Sequence, residues 1–160
     1  TGALPPPFKK CKIYFPAIIS GQNIAQAKLK ESAAGGLETI LIVDDEDQIL
    51  DFLSRVLEHS GYSVITAQNG KEALERFVKY RNQLSLIILD LVMPEMDGKR
   101  CLEELLKIDP SVKVIISSGF SANGKISNLM NSGAKAFVTK PYDIEQLLMK
   151  MRELIDAKAP

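Results

Sequence analysis

The sequence predicts an α/β fold in which helices cover both faces of a parallel β-sheet. Short apolar runs rich in Val and Ile recur along the chain, as strands buried on both faces require. The segments between these runs carry apolar residues at helical spacing, which predicts amphipathic helices. Strands and helices alternate five times, and this alternation favours parallel strands joined by right-handed crossovers.

Five runs of five or six residues are predicted to form the strands. The first of them, TILIV, is apolar or β-branched throughout and is therefore expected in the interior of the sheet. The predicted strands span residues 39–43, 62–66, 84–89, 112–117 and 134–139. Because helical connections return the chain to the same edge, the carboxyl ends of all five strands are expected to lie together.

Five segments with apolar stripes are predicted to form the helices. They span residues 47–60, 70–80, 99–108, 121–132 and 143–157. Asp47 is expected to cap the first helix, and Gly61 follows that helix as a stop signal. The helix over 121–132 is expected to be the least stable, since Gly124 costs a helix about 1 kcal/mol relative to Ala.

The second predicted helix shows how periodicity indicates the core. Four of its apolar side chains recur at spacings of one and three residues, so they are expected to face the sheet. These are Ala73, Leu74, Phe77 and Val78.

Composition divides the chain into two parts. Residues 1–36 hold five lysines and one glutamate, and we expect them to form an N-terminal arm and linker. Residues 37–160 hold 15 basic and 19 acidic residues, and we expect them to form the folded domain. This acidic balance argues against direct binding of nucleic acid. No apolar run approaches the ~18 residues of a membrane span, so no membrane segment is expected.

The cysteines and the first residue give expectations about context. Cys11 and Cys101 are far apart and lack the spacing of metal ligands, so free thiols in a reducing, cytoplasmic compartment are expected. Because the sequence begins with Thr1, we expect it to be part of a longer protein.

Polar residues follow four of the predicted strands and should meet at one edge of the sheet. They are Asp44-Asp45, Asp90, Ser117-Ser118 and Lys140-Pro141. At an effective dielectric constant of about 20, two unit charges about 4 Å apart repel by about 4 kcal/mol, so three clustered carboxylates are expected to hold a cation. Oxygen ligands favour Mg²⁺, or Mn²⁺ in its place.

A lysine and a hydroxyl beside such a cluster are typical of a phosphoryl-transfer site. Lys140 would offset the charge of the transferring group, and the Ser118 hydroxyl would hydrogen-bond one of its oxygens. Asp90 is then the predicted nucleophile, which forms an acyl phosphate.

Each of these residues also has an ordinary structural explanation. The acidic run 44–47 could favour a helix N-terminus, and Asp90 could end its strand in a turn. Ser118 could be structural, and Lys140 could be a surface residue. Their convergence on one sheet edge favours the phosphoryl-transfer interpretation.

On these residues, segment 39–158 resembles the receiver domain of two-component response regulators, over about three quarters of the chain. The matching positions are Asp44 and Asp45 for the family's acidic pair, Asp90 for its phosphoacceptor, Ser118 for its Ser/Thr switch residue and Lys140 for its lysine. The turn after the phosphoacceptor, MPEMDG at residues 93–98, is also similar.

The resemblance implies a flavodoxin-like (βα)5 three-layer sandwich with sheet order 2-1-3-4-5. It implies that Asp45, Asp90 and the backbone carbonyl of Val92 ligate Mg²⁺, with Asp44 acting through water. It also implies a cis peptide bond between Lys140 and Pro141.

The same resemblance implies a phosphorelay role. The donor would be a histidine kinase or a histidine phosphotransfer protein, and the receiver would catalyse its own phosphorylation and dephosphorylation. Ser118 would move towards the phosphoryl group and Phe137 would turn inward. The surface of the helix over 121–132, the fifth strand and the final helix would change, so partners would bind it differently. The chain could also form a homodimer. Val92 and Phe120 would slow hydrolysis of the acyl phosphate.

Upstream, KKCKIYFPA at residues 9–17 is similar to the closing strand of the ATP-binding domain of sensor kinases. This similarity implies that the chain is the C-terminal receiver of a hybrid histidine kinase, whose parent protein could be membrane-attached.

Two other functions stay open. One is a pseudo-receiver, an interaction module without phosphorylation. The other is a phosphatase of the haloacid dehalogenase type, in which the nucleophile follows the first strand and the second acid comes two residues later. Asp44 and Asp45 are adjacent instead, and the chain is short for a cap domain.

Overall fold

A computed structural model describes residues 36–119 and 130–157. Predictions about the N-terminal arm, Phe120 and most of the helix over 121–132 lie outside the described residues. The described strands are β1 (Thr39–Val43), β2 (Ser63–Ala67), β3 (Leu84–Asp90), β4 (Val114–Ser118) and β5 (Ala136–Thr139). The complete described helices are α1 (Asp47–His59), α2 (Gly70–Tyr80), α3 (Gly98–Ile108) and α4 (Ile144–Asp156).

The five strands form one parallel sheet in the order β2-β1-β3-β4-β5. This order confirms the predicted flavodoxin-like fold. The central strands β1 and β3 consist of buried apolar residues along most of their length, as a strand covered on both faces requires.

Side chains of the sheet alternate between two apolar cores. Leu41, Ile87 and Ile116 pack with residues of α2 and α3. Their neighbours, including Ile40 and Ile88, pack with residues of α1 and α4 on the other face. The alternation follows from the two-residue period of a strand, and it makes the molecule a three-layer sandwich.

The prediction that Val78 faces the core is wrong. Ala73 and Phe77 of α2 are buried, but Val78 is 62% exposed. It lies about 100° around the helix from Phe77, which places it beyond the stripe that meets the sheet.

The helix caps also correct one prediction. Asp47 is the first residue of α1 and not its cap, since the N-cap residue is Glu46 and makes no side-chain cap bond. The Asp47 carboxylate instead accepts a hydrogen bond from the Gln68 side-chain amide. Side-chain caps are present at α2, α3 and α4, where Asn69, Asp97 and Asp143 each accept a backbone N–H.

An ion pair joins the start of the sheet to the last helix. Arg152 of α4 donates to both carboxylate oxygens of Glu38, just before β1, and also pairs with Asp156. The hydrogen bonds from Arg152 lower the pKa of Glu38 below its ordinary value. The carboxylate form of Glu38 is therefore favoured by folding.

Glu38→Gln is expected to lower the free energy of unfolding at pH 7 by about 1 kcal/mol, because a bidentate pair is lost. Since the folded pKa of Glu38 is lowered, its contribution is complete above the unfolded pKa and disappears as pH falls through the folded pKa. Urea unfolding at neutral and acidic pH measures this. Glu58→Gln, an exposed change on α1, is the control. An equal deficit of Glu38→Gln at both pH values would contradict the ion-pair explanation.

Within the described residues, no helix is long and apolar enough to cross a membrane.

Candidate functional site

The strand order brings the predicted polar residues to one edge of the sheet. Asp44 follows β1, Asp90 ends β3, Ser117 and Ser118 end β4, and Lys140 follows β5. Because β1, β3, β4 and β5 are successive neighbours in a parallel sheet, their carboxyl ends adjoin.

Three carboxylates form a cluster at this edge. Asp44, Asp45 and Asp90 can each place one oxygen within 4.8 Å of the other two. Asp44 and Asp90 are 1% and 4% exposed, whereas Asp45 faces solvent. Asp44 accepts the N–H of Glu46 at 3.1 Å, and Asp90 accepts the N–H of Leu91 at 2.8 Å. These backbone bonds orient both buried carboxylates.

Lys140 supplies a positive charge between the buried acids. Its Nζ lies 2.7 Å from Asp44 Oδ2 and 3.1 Å from Asp90 Oδ2. A third carboxylate, that of the exposed Glu46, is 3.7 Å away. Burial lowers the pKa of Lys140, but hydrogen bonds to Asp44 and Asp90 outweigh it and raise the pKa above its ordinary value. The ammonium therefore stays charged.

The surroundings of Asp90 disfavour the charged form of its carboxyl group. Burial raises the pKa of Asp90 above its ordinary value, and the negative charge of Asp44 adds to the rise. Lys140 and the N–H of Leu91 oppose this rise without cancelling it. Buried carboxyl groups whose pKa is raised in this way are common at functional sites.

The peptide bond between Lys140 and Pro141 is cis, as predicted. The N–H of Lys140 donates to the carbonyl of Ser118 at 2.9 Å. This bond attaches the start of the loop after β5 to the end of β4.

The loop after Asp90 returns close to its own strand. The N–H of Gly98 donates to the carbonyl of Leu91 at 3.0 Å. A Cβ built on Gly98 would lie 2.1 Å from the backbone oxygen of Asp90. The predicted Asp97-Gly98 turn thus serves two purposes, since Asp97 caps α3 and Gly98 allows the close approach.

Gly98→Ala is expected to destabilise the domain by about 1–3 kcal/mol, because the new methyl group collides with backbone that cannot move without displacing Asp90. Gly119→Ala is the matched control, since a Cβ there meets nothing within 4 Å. Urea unfolding of both variants provides the comparison. Equal stability of the two variants would show that the loop adapts.

The structure places the remaining predicted residues as follows. Ser118 is 2% exposed at the end of β4. Phe137 of β5 is half-buried and packs against the core that includes α2 and α3. The Val92 side chain is 69% exposed on the loop after β3. Metal ligation by the Val92 carbonyl and the switch roles of Ser118 and Phe137 stay predictions.

Sequence reasoning missed two contacts at this edge. Glu46 lies near Lys140, and the Tyr142 hydroxyl lies 2.6 Å from Ser117 Oγ. The sequence signal for the second contact was only the position of Tyr142, two residues after Lys140. Cys101 is a free buried thiol, and burial raises its pKa to about 12, which favours the protonated thiol at neutral pH; Cys11 lies outside the described residues.

Comparison with known proteins identifies relatives of this arrangement. The family described as "Response regulator receiver domain" matches residues 40–152. The chain is 33% identical over 110 residues to the chemotaxis protein CheY of Listeria monocytogenes, covering 68% of this chain and 91% of CheY. It is 32% identical over 153 residues to the sensor kinase CckA of Brucella abortus, covering 91% of this chain and 16% of CckA.

Solved structures with a similar fold include receiver domains. A receiver domain protein from Clostridium thermocellum superposes with a TM-score of 0.72 at 32% identity, covering 75% of this chain and 95% of that one. A chain of the CheX–CheY–BeF3–Mg²⁺ complex from Borrelia burgdorferi also gives a TM-score of 0.72, at 28% identity, covering 75% of this chain and 90% of that one. This chain spans only 16% of CckA and 27% of the transcriptional regulatory protein GlrR of Escherichia coli, so it corresponds to one part of those proteins.

Proposed function

Because the chain belongs to the response regulator receiver family of two-component systems, we propose that it accepts a phosphoryl group from a phosphohistidine onto Asp90. The observation that carries the proposal is the buried Asp90 carboxylate, 3.1 Å from the Lys140 ammonium and clustered with two further acids. A nucleophile, a fixed cation and a set of oxygen donors are what phosphoryl transfer requires.

The donor set fits Mg²⁺, or Mn²⁺ in its place. The three clustered side chains offer only carboxylate oxygens, which are the ligands that hard divalent cations prefer. We propose direct ligation by Asp45, Asp90 and the backbone carbonyl of Val92, with Asp44 acting through water. When bound, the ion would neutralise negative charge that develops on the phosphoryl oxygens.

Chemistry would begin with attack of an Asp90 carboxylate oxygen on the phosphorus. The new P–O bond forms as the P–N bond to the donor imidazole breaks, and the imidazole leaves with the electron pair of that bond. Lys140 offsets charge on the phosphoryl oxygens, and Ser118 donates its hydroxyl to one of them. The product is an acyl phosphate, and its hydrolysis returns Asp90 and inorganic phosphate.

Movement of Ser118 would carry the signal away from the site. Ser118 ends β4, and Phe137 lies on the neighbouring strand β5. We propose that Phe137 turns inward as Ser118 moves, which changes the surface of β5, α4 and the helix over 121–132. That surface would then bind a downstream partner or a second copy of the chain. Val92 and Phe120 would limit access of water to the acyl phosphate.

The parent protein is proposed to be a hybrid histidine kinase. Similarity to CckA covers 91% of this chain, so it extends beyond the receiver match at residues 40–152. Residues 1–36 would then be the end of a kinase ATP-binding domain with its linker, and residues 37–160 the receiver. The donor would be a histidine kinase or a phosphotransfer protein in the cytoplasm, and nucleic acid would not be contacted directly.

The test is the intact mass of the 160-residue chain after incubation with acetyl phosphate and Mg²⁺. We expect a gain of one phosphoryl group that is absent with EDTA and is removed by neutral hydroxylamine, which cleaves acyl phosphates. No gain would overturn the proposal, and an absence of Mg²⁺ binding as well would favour the pseudo-receiver. A gain that resists hydroxylamine would place the phosphoryl group on another side chain.

A further inference from the structure

Two polar side chains beside the phosphoacceptor have no role in the function proposed above. Tyr142 lies on the loop between β5 and α4, and its hydroxyl oxygen is 2.6 Å from Ser117 Oγ. Ser117 is 0% exposed and pairs with Asp90 in the register of β3 and β4. A hydrogen bond this short to a fully buried hydroxyl fixes both groups.

We propose that Tyr142 is a positioning residue for phosphoryl transfer, which holds the loop that presents Lys140 to Asp90 through its hydrogen bond to Ser117. The inference rests on the phosphoacceptor function proposed above and adds one residue to its site.

The Lys140 loop is attached to β4 at two points. The first is the backbone bond from the Lys140 N–H to the Ser118 carbonyl, at 2.9 Å. The second is the bond between Tyr142 and Ser117. Because these points lie two residues apart, they fix the stretch of backbone from which the Lys140 side chain extends. Without the second bond, the loop keeps the backbone hydrogen bond to β4 and the packing of the ring at position 142.

Ser117 is also attached to the segment that follows Asp90. Its carbonyl accepts the N–H of Leu91 at 3.0 Å, while its hydroxyl contacts Tyr142. One residue of β4 therefore contacts both the Asp90 segment and the Lys140 loop. We infer that these contacts through Ser117 help to set the distance between Lys140 Nζ and Asp90 Oδ2, which is 3.1 Å.

The Tyr142 ring is held separately from its hydroxyl. It packs against the apolar core that includes α1 and α4, together with Ile144 and Leu148. Burial raises the pKa of Tyr142 to about 12, so the hydroxyl stays protonated at neutral pH. Tyr142→Phe keeps this packing and removes the hydrogen bond alone, so the variant is expected to fold.

The test compares rates of phosphoryl uptake from acetyl phosphate, with Mg²⁺, in the full chain. Tyr142→Phe and Ser117→Ala are each expected to react about five- to tenfold more slowly, the size expected for loss of one ordering hydrogen bond. The double variant should be no slower than either single variant, because both remove the same bond. Tyr80→Phe is the control, since Tyr80 ends α2 and precedes β3, at the opposite edge of the sheet.

Two further measurements separate positioning from stability. Urea unfolding should show the double variant more stable than Ser117→Ala, because no buried hydroxyl then lacks its partner, while its rate stays low. The side-chain NMR resonance of Lys140, assigned with Lys140→Arg, should shift in Tyr142→Phe and stay in place in Tyr80→Phe.

Rates that follow stability across these variants would overturn the inference, as would a Tyr142→Phe variant with the wild-type rate and Lys140 resonance. In either case a wild-type chain that reacts leaves the proposed function intact. A wild-type chain that gains no phosphoryl group overturns the proposed function itself.

Discussion

Asp90→Asn is expected to abolish phosphoryl uptake and, at the same time, to make the metal-free domain harder to unfold. The amide of asparagine lacks the anionic oxygen that attacks phosphorus, so no acyl phosphate can form. Intact mass after incubation with acetyl phosphate and Mg²⁺ measures the first effect. Asp51→Asn, an exposed change on α1, is the control and should react like the wild type.

The stabilising effect follows from the burial of Asp90. The residue is 4% exposed, and its pKa is raised by burial and by the charge of Asp44, even though Lys140 is present. A raised pKa means that the charged carboxyl is less favourable in the folded state than in the unfolded one. Asparagine removes that charge, so we expect a gain of about 0.5–2 kcal/mol, the range that single stabilising substitutions commonly give.

The stability gained by Asp90→Asn should depend on pH. Since the folded pKa of Asp90 is raised, the cost of its charge is absent below the unfolded pKa and appears as pH rises through the folded pKa. The advantage of Asp90→Asn in EDTA should therefore be present at pH 7 and vanish in acid. With Mg²⁺ the wild type should regain stability, because an ion bound only to the folded state stabilises it. An asparagine variant less stable than the wild type at pH 7 in EDTA would contradict this account.

Much of the fold could be predicted because long apolar runs leave few alternatives. TILIV favoured an interior strand because it is apolar or β-branched throughout, and the alternation of such runs with amphipathic segments favoured parallel pairing. Element ends were less certain: β4 begins at Val114 and ends at Ser118, while the apolar pattern indicated residues 112–117. The prediction that Val78 is buried was wrong because periodicity gives the direction of an apolar stripe and not its width.

The site was predictable for a different reason. Parallel topology turns positions in sequence into positions in space, so residues at strand ends become neighbours whatever separates them in the chain. That argument brought Asp44, Asp90 and Lys140 together, and the structure places them in contact. It could not identify the contact between Tyr142 and Ser117, which depends on the path of a loop and on side-chain rotamers.

Lys140→Met is expected to slow phosphoryl uptake by about 10²–10³-fold and to destabilise the metal-free domain. Methionine keeps much of the apolar stem and removes the ammonium. Donors that offset charge in a transition state contribute rates of this size. The rate of mass gain from acetyl phosphate measures the effect, with Lys135→Met, an exposed lysine just before β5, as the control.

The loss of stability follows from the two carboxylates that Lys140 pairs. Asp44 and Asp90 are almost fully buried, and Lys140→Met removes the ammonium that lies between their carboxylates. Removing one partner from a buried ion pair costs about 3–5 kcal/mol. Because Lys140 is 14% exposed and Mg²⁺ is absent, we expect a loss near the lower end, about 3 kcal/mol, measured by urea unfolding in EDTA.

Adding Asp90→Asn to Lys140→Met separates the ion pair from packing. If the loss arises from unpaired charge, Asp90→Asn should stabilise the Lys140→Met variant by more than it stabilises the wild type, because the Asp90 carboxylate then lacks the ammonium that offsets its charge. If the loss arises from the packing of the lysine stem, the two effects should simply add, because the substitutions would be independent. A larger gain from Asp90→Asn in the Lys140→Met variant than in the wild type would show that Lys140 stabilises the metal-free domain by offsetting the charge of Asp90, and that the buried carboxylate itself is unfavourable to the metal-free fold.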